Sequence, residues 1–258
     1  MRIERILAAA LVVALGGLGM ATAPTSDKTD RVYEMRTYWC PEGKLDDLHA
    51  RFRDHTMKLF EKHGMTSVGY WVPIDNKENK LVYVLSYPSR DAAKASWKDF
   101  VADPDWQKAY KASEAKGTLV KKVDSKFLKT TDYSPKLPKT MTGEHVFELR
   151  IYDTTPGHLP NLDARFRDHT MKLFEKHGMT NLVYWHMLPG QKAAEDTLVY
   201  MLAHKSVAAA KASFDAFRTD PDWVAARKAS EEKAGGSLTV KDGVHSTFMK
   251  ATDYSPLK

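Results

Sequence analysis

Ala50-Arg-Phe-Arg-Asp-His-Thr-Met-Lys-Leu-Phe-Glu-Lys-His-Gly-Met-Thr66 returns letter for letter as Ala164–Thr180. The chain is therefore one unit written twice, at an offset of 114 residues. Working outward at the same offset, Tyr33-Glu-Met-Arg-Thr-Tyr38 answers to Phe147-Glu-Leu-Arg-Ile-Tyr152. Further on, Leu81-Val-Tyr83 answers to Leu198-Val-Tyr200, and Asp103-Pro-Asp-Trp106 to Asp220-Pro-Asp-Trp223. Thr131-Asp-Tyr-Ser-Pro135 closes the first copy and Thr252-Asp-Tyr-Ser-Pro256 the second, with the offset grown to 121. Such growth marks insertions in surface loops, here around Gly190–Asp196 and Lys233–Gly243. The first unit spans 31–135, the second 145–256, and 136–144 is a polar linker containing Pro and Gly. A period of this length is too long for a solenoid, so it describes two copies of a small domain.

Within each unit the hydrophobic period switches. Val32–Tyr38 alternates strictly, as a half-buried strand does. One face carries Tyr33, Met35 and Thr37, and the other Glu34, Arg36 and Tyr38. In the second unit the latter set stands unchanged as Glu148, Arg150 and Tyr152. From about Leu45 the period becomes helical, with Leu48, Phe52, His55 and Leu59 on one stripe. Gly64 and Gly178 end that helix as left-handed residues. A second strand carries Tyr70-Trp71 (Tyr184-Trp185), and a third runs Leu81–Tyr87 (Leu198–His204). A helix begins near Ser89 and breaks at Asp103-Pro104, where Asp caps and Pro opens a further helix. A strand over about Leu119–Leu128 precedes the Thr-Asp-Tyr-Ser-Pro tail. The order βαββαβ is the ferredoxin-like plan. Two such sheets face to face make an intramolecular dimeric α/β barrel of the α+β class. We expect the apolar strand face to meet the helices, which turns Glu34, Arg36 and Tyr38 into the lumen.

These motifs together resemble the NIPSNAP domain: Tyr-Glu-x-Arg-x-Tyr, the helix Phe-Arg-Asp-His-Thr…Phe-Glu-Lys-His-Gly-Met, Val-Gly-Tyr-Trp, Leu-Val-Tyr and Asp-Pro-x-Trp. The resemblance covers both units, about 31–135 and 145–256. It implies a dimeric α/β barrel and little about chemistry. Mitochondrial relatives in animals are linked to mitophagy signalling and membrane association, roles that an exported tandem version is not expected to share. The second copy departs from the pattern where Val68-Gly-Tyr-Trp71 becomes Leu182-Val-Tyr-Trp185. If Gly69 admits a ligand or a backbone, the two halves are not equivalent.

Residues 1–23 read as a secretory signal: Arg2 and Arg5, an apolar run from Ile6 to Met20, and Ala21-Thr-Ala23 for cleavage. The run is short for a membrane span. The expectation is a protein exported to the periplasm or the exterior, cleaved after Ala23, with no membrane span thereafter. The net charge of +6 becomes about +5 without that segment, spread without a basic block, which argues against nucleic acid as a partner. Cys40 is the one cysteine, so no internal disulfide forms and packing must hold the fold.

Candidate chemistry falls into two groups. Glu34 and Glu148, with His55 and His169, are the candidate acids and bases. Arg36, Tyr38, Arg150 and Tyr152, with Tyr70, Trp71, Tyr184 and Trp185, are the candidate ligand contacts in the lumen. In that role an Arg holds an anionic or carbonyl group, a Glu acts as base and a Tyr as donor. The structural alternative is a Glu–Arg network that sets how the sheets register. His63 and His177 suit the helix C-terminus. His55 and His63 lie about 12 Å apart along a helix, too far to share a metal, and no Cys or His cluster supplies further ligands. Phosphate loops, dinucleotide fingerprints and G-x-S-x-G turns are missing from residues 24–258, so no cofactor is expected. Three functional readings remain: a barrel binding a small organic ligand, a platform for a protein partner with possible further homo-oligomerisation, and a cofactor-independent oxidoreductase or isomerase.

Overall fold

The computed structural model describes residues 31–141 and 143–258; the expected signal segment lies outside them. The first unit runs β1 (Val32–Trp39), α1 (Leu45–Arg51), a π-helical turn (Phe52–Thr56), α2 (Met57–Lys62), β2 (Thr66–Pro73), β3 (Lys80–Tyr87), α3 (Arg90–Ala102), α4 (Pro104–Ser113) and β4 (Lys122–Thr130). The second repeats it: β5 (Val146–Thr154), α5 (Leu159–Arg165), a π-helical turn (Phe166–Thr170), α6 (Met171–Lys176), β6 (Thr180–Met187), β7 (Thr197–His204), α7 (Val207–Thr219), α8 (Pro221–Ala234) and β8 (Thr239–Ala251). The capping residues do what their chemistry suggests. Ser89 Oγ accepts the Ala92 N–H at 3.0 Å, and Asp103 Oδ1 accepts the Asp105 N–H at 2.8 Å with Pro104 opening α4.

The eight strands close into one barrel, ordered β1-β3-β2-β8-β5-β7-β6-β4. Closure is made between units: β2 pairs with β8 through Trp71–Pro73, and β4 with β6 through Leu128–Thr130. Closure leaves no sheet edge exposed. The Thr-Asp-Tyr-Ser-Pro tails then cross over reciprocally. Thr131 N–H donates to Tyr184 O at 3.0 Å, and Tyr184 N–H to Ser134 Oγ at 3.0 Å. In the other direction Thr252 N–H donates to Tyr70 O and Tyr70 N–H to Ser255 Oγ, both at 2.9 Å. Arg53 grips Asp253 with two bonds of 2.8 Å, and Arg167 grips Asp132 with two of 2.9 Å. Each helix-one arginine thus ties down the other unit's tail.

The lumen reverses the expected facing of the strands. Its interior is apolar, built from Met35, Trp71, Val82, Val84 and Leu128 of one unit against Phe147, Leu149, Trp185, Val199 and Met201 of the other. Trp71 packs on Phe147 and Trp185 on Tyr33, each with ring centroids 5.7 Å apart. Glu34, Arg36 and Tyr38, with Glu148, Arg150 and Tyr152, lie instead on the outer sheet face beneath the helices. Both sheet faces are buried, so the contest is between two interiors. On the outer face Glu34 meets Arg36 of its own strand, Tyr87 and Ser125 of neighbouring strands and Trp97 of α3, and Glu148 meets Arg150, His204 and Ser246. A buried charge goes where it can be paired.

Candidate functional site

Between the outer sheet face and the helices each unit holds a pocket. In the first unit it measures about 340 Å³ and is lined by Arg36 and Tyr38 from β1, Arg51, Phe52, Thr56 and Phe60 from the repeated helix, and Trp97 and Trp106 from α3 and α4. The second unit's pocket, about 280 Å³, is lined by Arg150, Tyr152, Arg165, Phe166, Thr170, Phe174, Phe214 and Trp223 among others. The π-helical turn shapes this wall. Met57 N–H reaches Phe52 O, five residues back, and Thr56 Oγ1 bonds Arg51 O at 3.1 Å. π-turns of this kind are frequent at functional sites.

That turn also corrects the helical stripe. The inward positions are Leu48, Phe52, Thr56, Leu59 and Phe60, and His55 is exposed. His169 is exposed in the same way. Both border shallow grooves between helices, His55 beside Lys58 and Ala109, His169 beside Lys172 and Ala226. Neither reaches the pocket or the lumen.

The carboxylates lie behind the pockets, bonded to the strand arginines that line them. Glu34 is 1% exposed and accepts from Arg36 Nη1 at 2.5 Å, Ser125 Oγ at 2.7 Å, Trp97 Nε1 at 2.6 Å and Tyr87 OH at 2.9 Å. Glu148 accepts from Arg150 Nη1 at 2.5 Å, Ser246 Oγ at 2.5 Å and His204 Nε2 at 2.9 Å. Burial raises the Glu148 pKa, but His204 and Arg150 more than offset it, and the carboxyl rests below its ordinary value. Sequence reasoning missed Trp97, Tyr87 and His204 because nothing local marks them; they come from the helix layer and the end of a neighbouring strand.

Both pockets hold a strand arginine beside a helix arginine, Arg36 with Arg51 and Arg150 with Arg165. Burial pulls Arg36 and Arg150 down, yet Tyr83 and Tyr200, with Tyr38, Tyr152 and the two carboxylates, hold both above the ordinary arginine value. Arg36 lies over the Trp97 ring, 4.3 Å from its centroid, and Arg51 over Trp106 at 5.4 Å. Arg51, 4% exposed, reaches Glu114 and Ser113 at 3.3 and 3.2 Å. The Nε atoms of Arg36, Arg51 and Arg165 have no hydrogen-bond partner. Buried donors are normally satisfied, which sets these three arginines apart from the other polar groups around the pockets.

The expected lumen contacts therefore divide. Trp71 and Trp185 are in the lumen, while Tyr70 and Tyr184 join the helix-side aromatic clusters. At one barrel mouth a cleft of about 790 Å³ is lined by Thr37, Val82, Leu149, Ile151 and the ion-paired Asp124 and Lys126. Gly69 admits neither ligand nor backbone: the Trp71 indole lies against it. Cys40 is buried, which pushes its thiol up to about 11 and keeps it protonated. Among the described residues no group of three or more His, Cys, Asp or Glu could hold a metal, and no helix is long and apolar enough to cross a membrane.

The NIPSNAP family model matches this sequence twice, over 33–135 and 147–256. The chain belongs to the NIPSNAP family. Among solved structures, an uncharacterised NIPSNAP-like domain protein from Burkholderia xenovorans is 18% identical, covering 43% of this NIPSNAP chain and 93% of its own, with a TM-score of 0.38. Other structures match nearly end to end. An anthrone oxidase-like protein has a TM-score of 0.56 at 11% identity, covering 89% of this chain and 94% of its own. A putative monooxygenase from Lactobacillus acidophilus has a TM-score of 0.51 at 10% identity, covering 86% and 94%. These two share the fold, a dimeric α/β barrel within one chain. No curated protein matches the NIPSNAP chain.

Proposed function

We propose that this protein, exported as its leader suggests, binds a small ring-bearing organic molecule in the helix-covered pocket of each unit. The observation that carries this reading is the pairing of an aromatic-walled pocket with buried guanidinium N–H groups that nothing in the protein satisfies. Apolar walls with a few convergent polar groups are the usual make-up of a small-molecule site. Binding ranks above catalysis on the geometry of Glu34. Its two oxygens already accept four hydrogen bonds, which leaves it poorly placed to take a proton from a substrate. The end-to-end likeness to an anthrone oxidase-like protein and to a putative monooxygenase supplies the competing reading, turnover of an oxidisable ring without a cofactor.

The test fills the pockets from their exposed walls, where Val123 and Val244 are each 44% exposed. With 1-naphthol as probe, calorimetry should give two sites per chain, one in Val123→Phe or Val244→Phe, and none in the double variant. At a hundred times its Kd such a probe stabilises the fold by about 2.7 kcal/mol per site. Binding that ignores both substitutions overturns the assignment. Oxygen uptake with anthrone that disappears in the double variant would move the reading from binding to oxygenation.

A further inference from the structure

The two pockets share one wall and differ in the other. The repeated helix gives both the same side, Arg51, Phe52, Thr56 and Phe60 against Arg165, Phe166, Thr170 and Phe174. On the facing helices the first unit presents Val101 and Tyr110, and the second unit Arg218 and Arg227. We propose that the second pocket holds a carboxylate-bearing organic anion, seated on Arg165 with Arg218 and Arg227 at its rim, while the first takes an uncharged molecule. This rests on the reading that both pockets bind a ligand.

The ion pairs show why. In the first unit each guanidinium has its own carboxylate: Arg36 has Glu34 at 2.5 Å, and Arg51 has Glu114 at 3.3 Å. In the second, Arg150 keeps Glu148 and Arg218 keeps Asp215, both at 2.5 Å. Glu231, the counterpart of Glu114, is divided. Arg227 takes it at 3.1 Å, and Arg165 is left at 3.7 Å, beyond hydrogen-bond reach. One carboxylate serves two guanidiniums.

Arg165 is 7% exposed, and neither its Nε nor its Nη1 has a hydrogen-bond partner. Burial, with Arg227 adding to it, pulls its guanidinium below the ordinary value despite Glu231. In the first unit Tyr110 occupies the place of Arg227 and offers Arg51 an aromatic face, 5.3 Å away. Replacing that face by a second cation, with no acid added, leaves Arg165 to share Glu231 with Arg227 and keeps only the Trp223 ring, 5.2 Å away, as its aromatic face. An oxyanion in the pocket supplies the second negative charge that two guanidiniums sharing one acid lack. Planar, forked guanidiniums suit a carboxylate, and Phe166, Phe214 and Trp223 suit the ring it is attached to.

Benzoate and its neutral isostere benzamide test this by calorimetry, in Val123→Phe (second pocket open) and Val244→Phe (first pocket open). The second pocket should prefer benzoate at least tenfold, and the first should show no preference. Arg165→Gln should abolish the preference. Arg227→Tyr, which installs the first unit's residue on an exposed position, should lower it several-fold even if Arg165→Gln fails to fold. Inorganic phosphate that displaces benzoate from the second pocket alone would mean that the oxyanion is read without its ring, and still supports the seat on Arg165. Equal binding of benzoate and benzamide in the second pocket overturns the proposal, as does a benzoate preference that survives both arginine changes or appears equally in the first pocket. Loss of all probe binding on filling a pocket, without any charge preference, would leave the ligand sites standing and remove only the division between them.

Discussion

A single hydrogen atom at Gly69 shapes the barrel interior. A Cβ there would lie 2.3 Å from both Cη2 and Cζ2 of Trp71, and Trp71 is fully buried against Phe147. The glycine is not required by the bulge beside it, because Val183 occupies the equivalent bulge of β6. Packed interiors accommodate an added methyl poorly, so Gly69→Ala should cost about 1–3 kcal/mol, read as a lower midpoint in urea with an unchanged slope. A midpoint equal to the parent's would mean the indole moves freely. The sequence showed that Gly69 has no partner in the second unit, but its neighbour two residues on, not a ligand, explains it. The same limit applies to Glu34, Arg36 and Tyr38. Alternation places them on one face, and that was legible. Which face meets the lumen depends on partners such as Trp97 and Tyr87, which are 63 and 53 residues from Glu34, and no local pattern carries that.

At the level of elements, the junction of α2 with α4 is a charged knot repeated in both units. Asp103 caps α4 with Oδ1 and with Oδ2 holds Lys62 Nζ and His63 Nε2, each at 2.7 Å. Asp220 does the same with Lys176 at 2.8 Å and His177 at 2.7 Å. His63 and His177 thus end their helices on a carboxylate, which is more specific than the dipole role their position suggests. Lys62 first, and then His63, hold the Asp103 carboxyl well below the ordinary carboxylate range, and Lys176 and His177 do so for Asp220. An acid whose folded pKa is depressed adds stability that is present above its unfolded value, about 3.9, and lost as pH falls through the folded one. Asn caps a helix as well as Asp does, so Asp103→Asn with Asp220→Asn removes the charge and keeps the cap. We expect the double variant to melt lower than the parent at pH 7 and the gap to close below about pH 4. A gap that stays constant between pH 2.5 and 7 would show that the charge contributes nothing. The helix boundaries here were readable, since Ser-x-x and Asp-Pro are local signals. The π-turn was not: inserting one residue into the helix moves Thr56 inward and His55 outward, and a 3.6-residue stripe cannot register that.

On the scale of the molecule, the units are neighbours that complete one another. Repeated sequence announced two domains, and the closed barrel follows from their need to bury a second sheet face. What the repeat did not announce is that each tail serves the opposite unit. The last residues of the chain cover the first unit's helix and reach the lumen: Tyr254 OH meets His49 Nδ1 at 2.7 Å, its ring lies 5.4 Å from Tyr70, and Leu257 is buried among the lumen residues. Burying Leu257 contributes about 1.5–3 kcal/mol, and each aromatic contact of Tyr254 about 0.5–1.5 kcal/mol. With the contacts to Tyr70 and Phe52, a chain stopped after Ala251 should therefore lose about 2.5–6 kcal/mol, a large part of the stability of an ordinary domain. The location of the damage is the sharper expectation. Tyr70 N–H loses its acceptor, Ser255 Oγ, and Phe52, at the start of the π-helical turn, loses the Tyr254 ring stacked against it. Hydrogen exchange should accelerate at Tyr70 and over 45–62 in the first unit, more than 180 residues before the cut, while Tyr184 N–H, held by Ser134, stays protected. Exchange that speeds up only in β8, beside the new terminus, would mean that the second tail guards its own unit and that the crossing carries no stability.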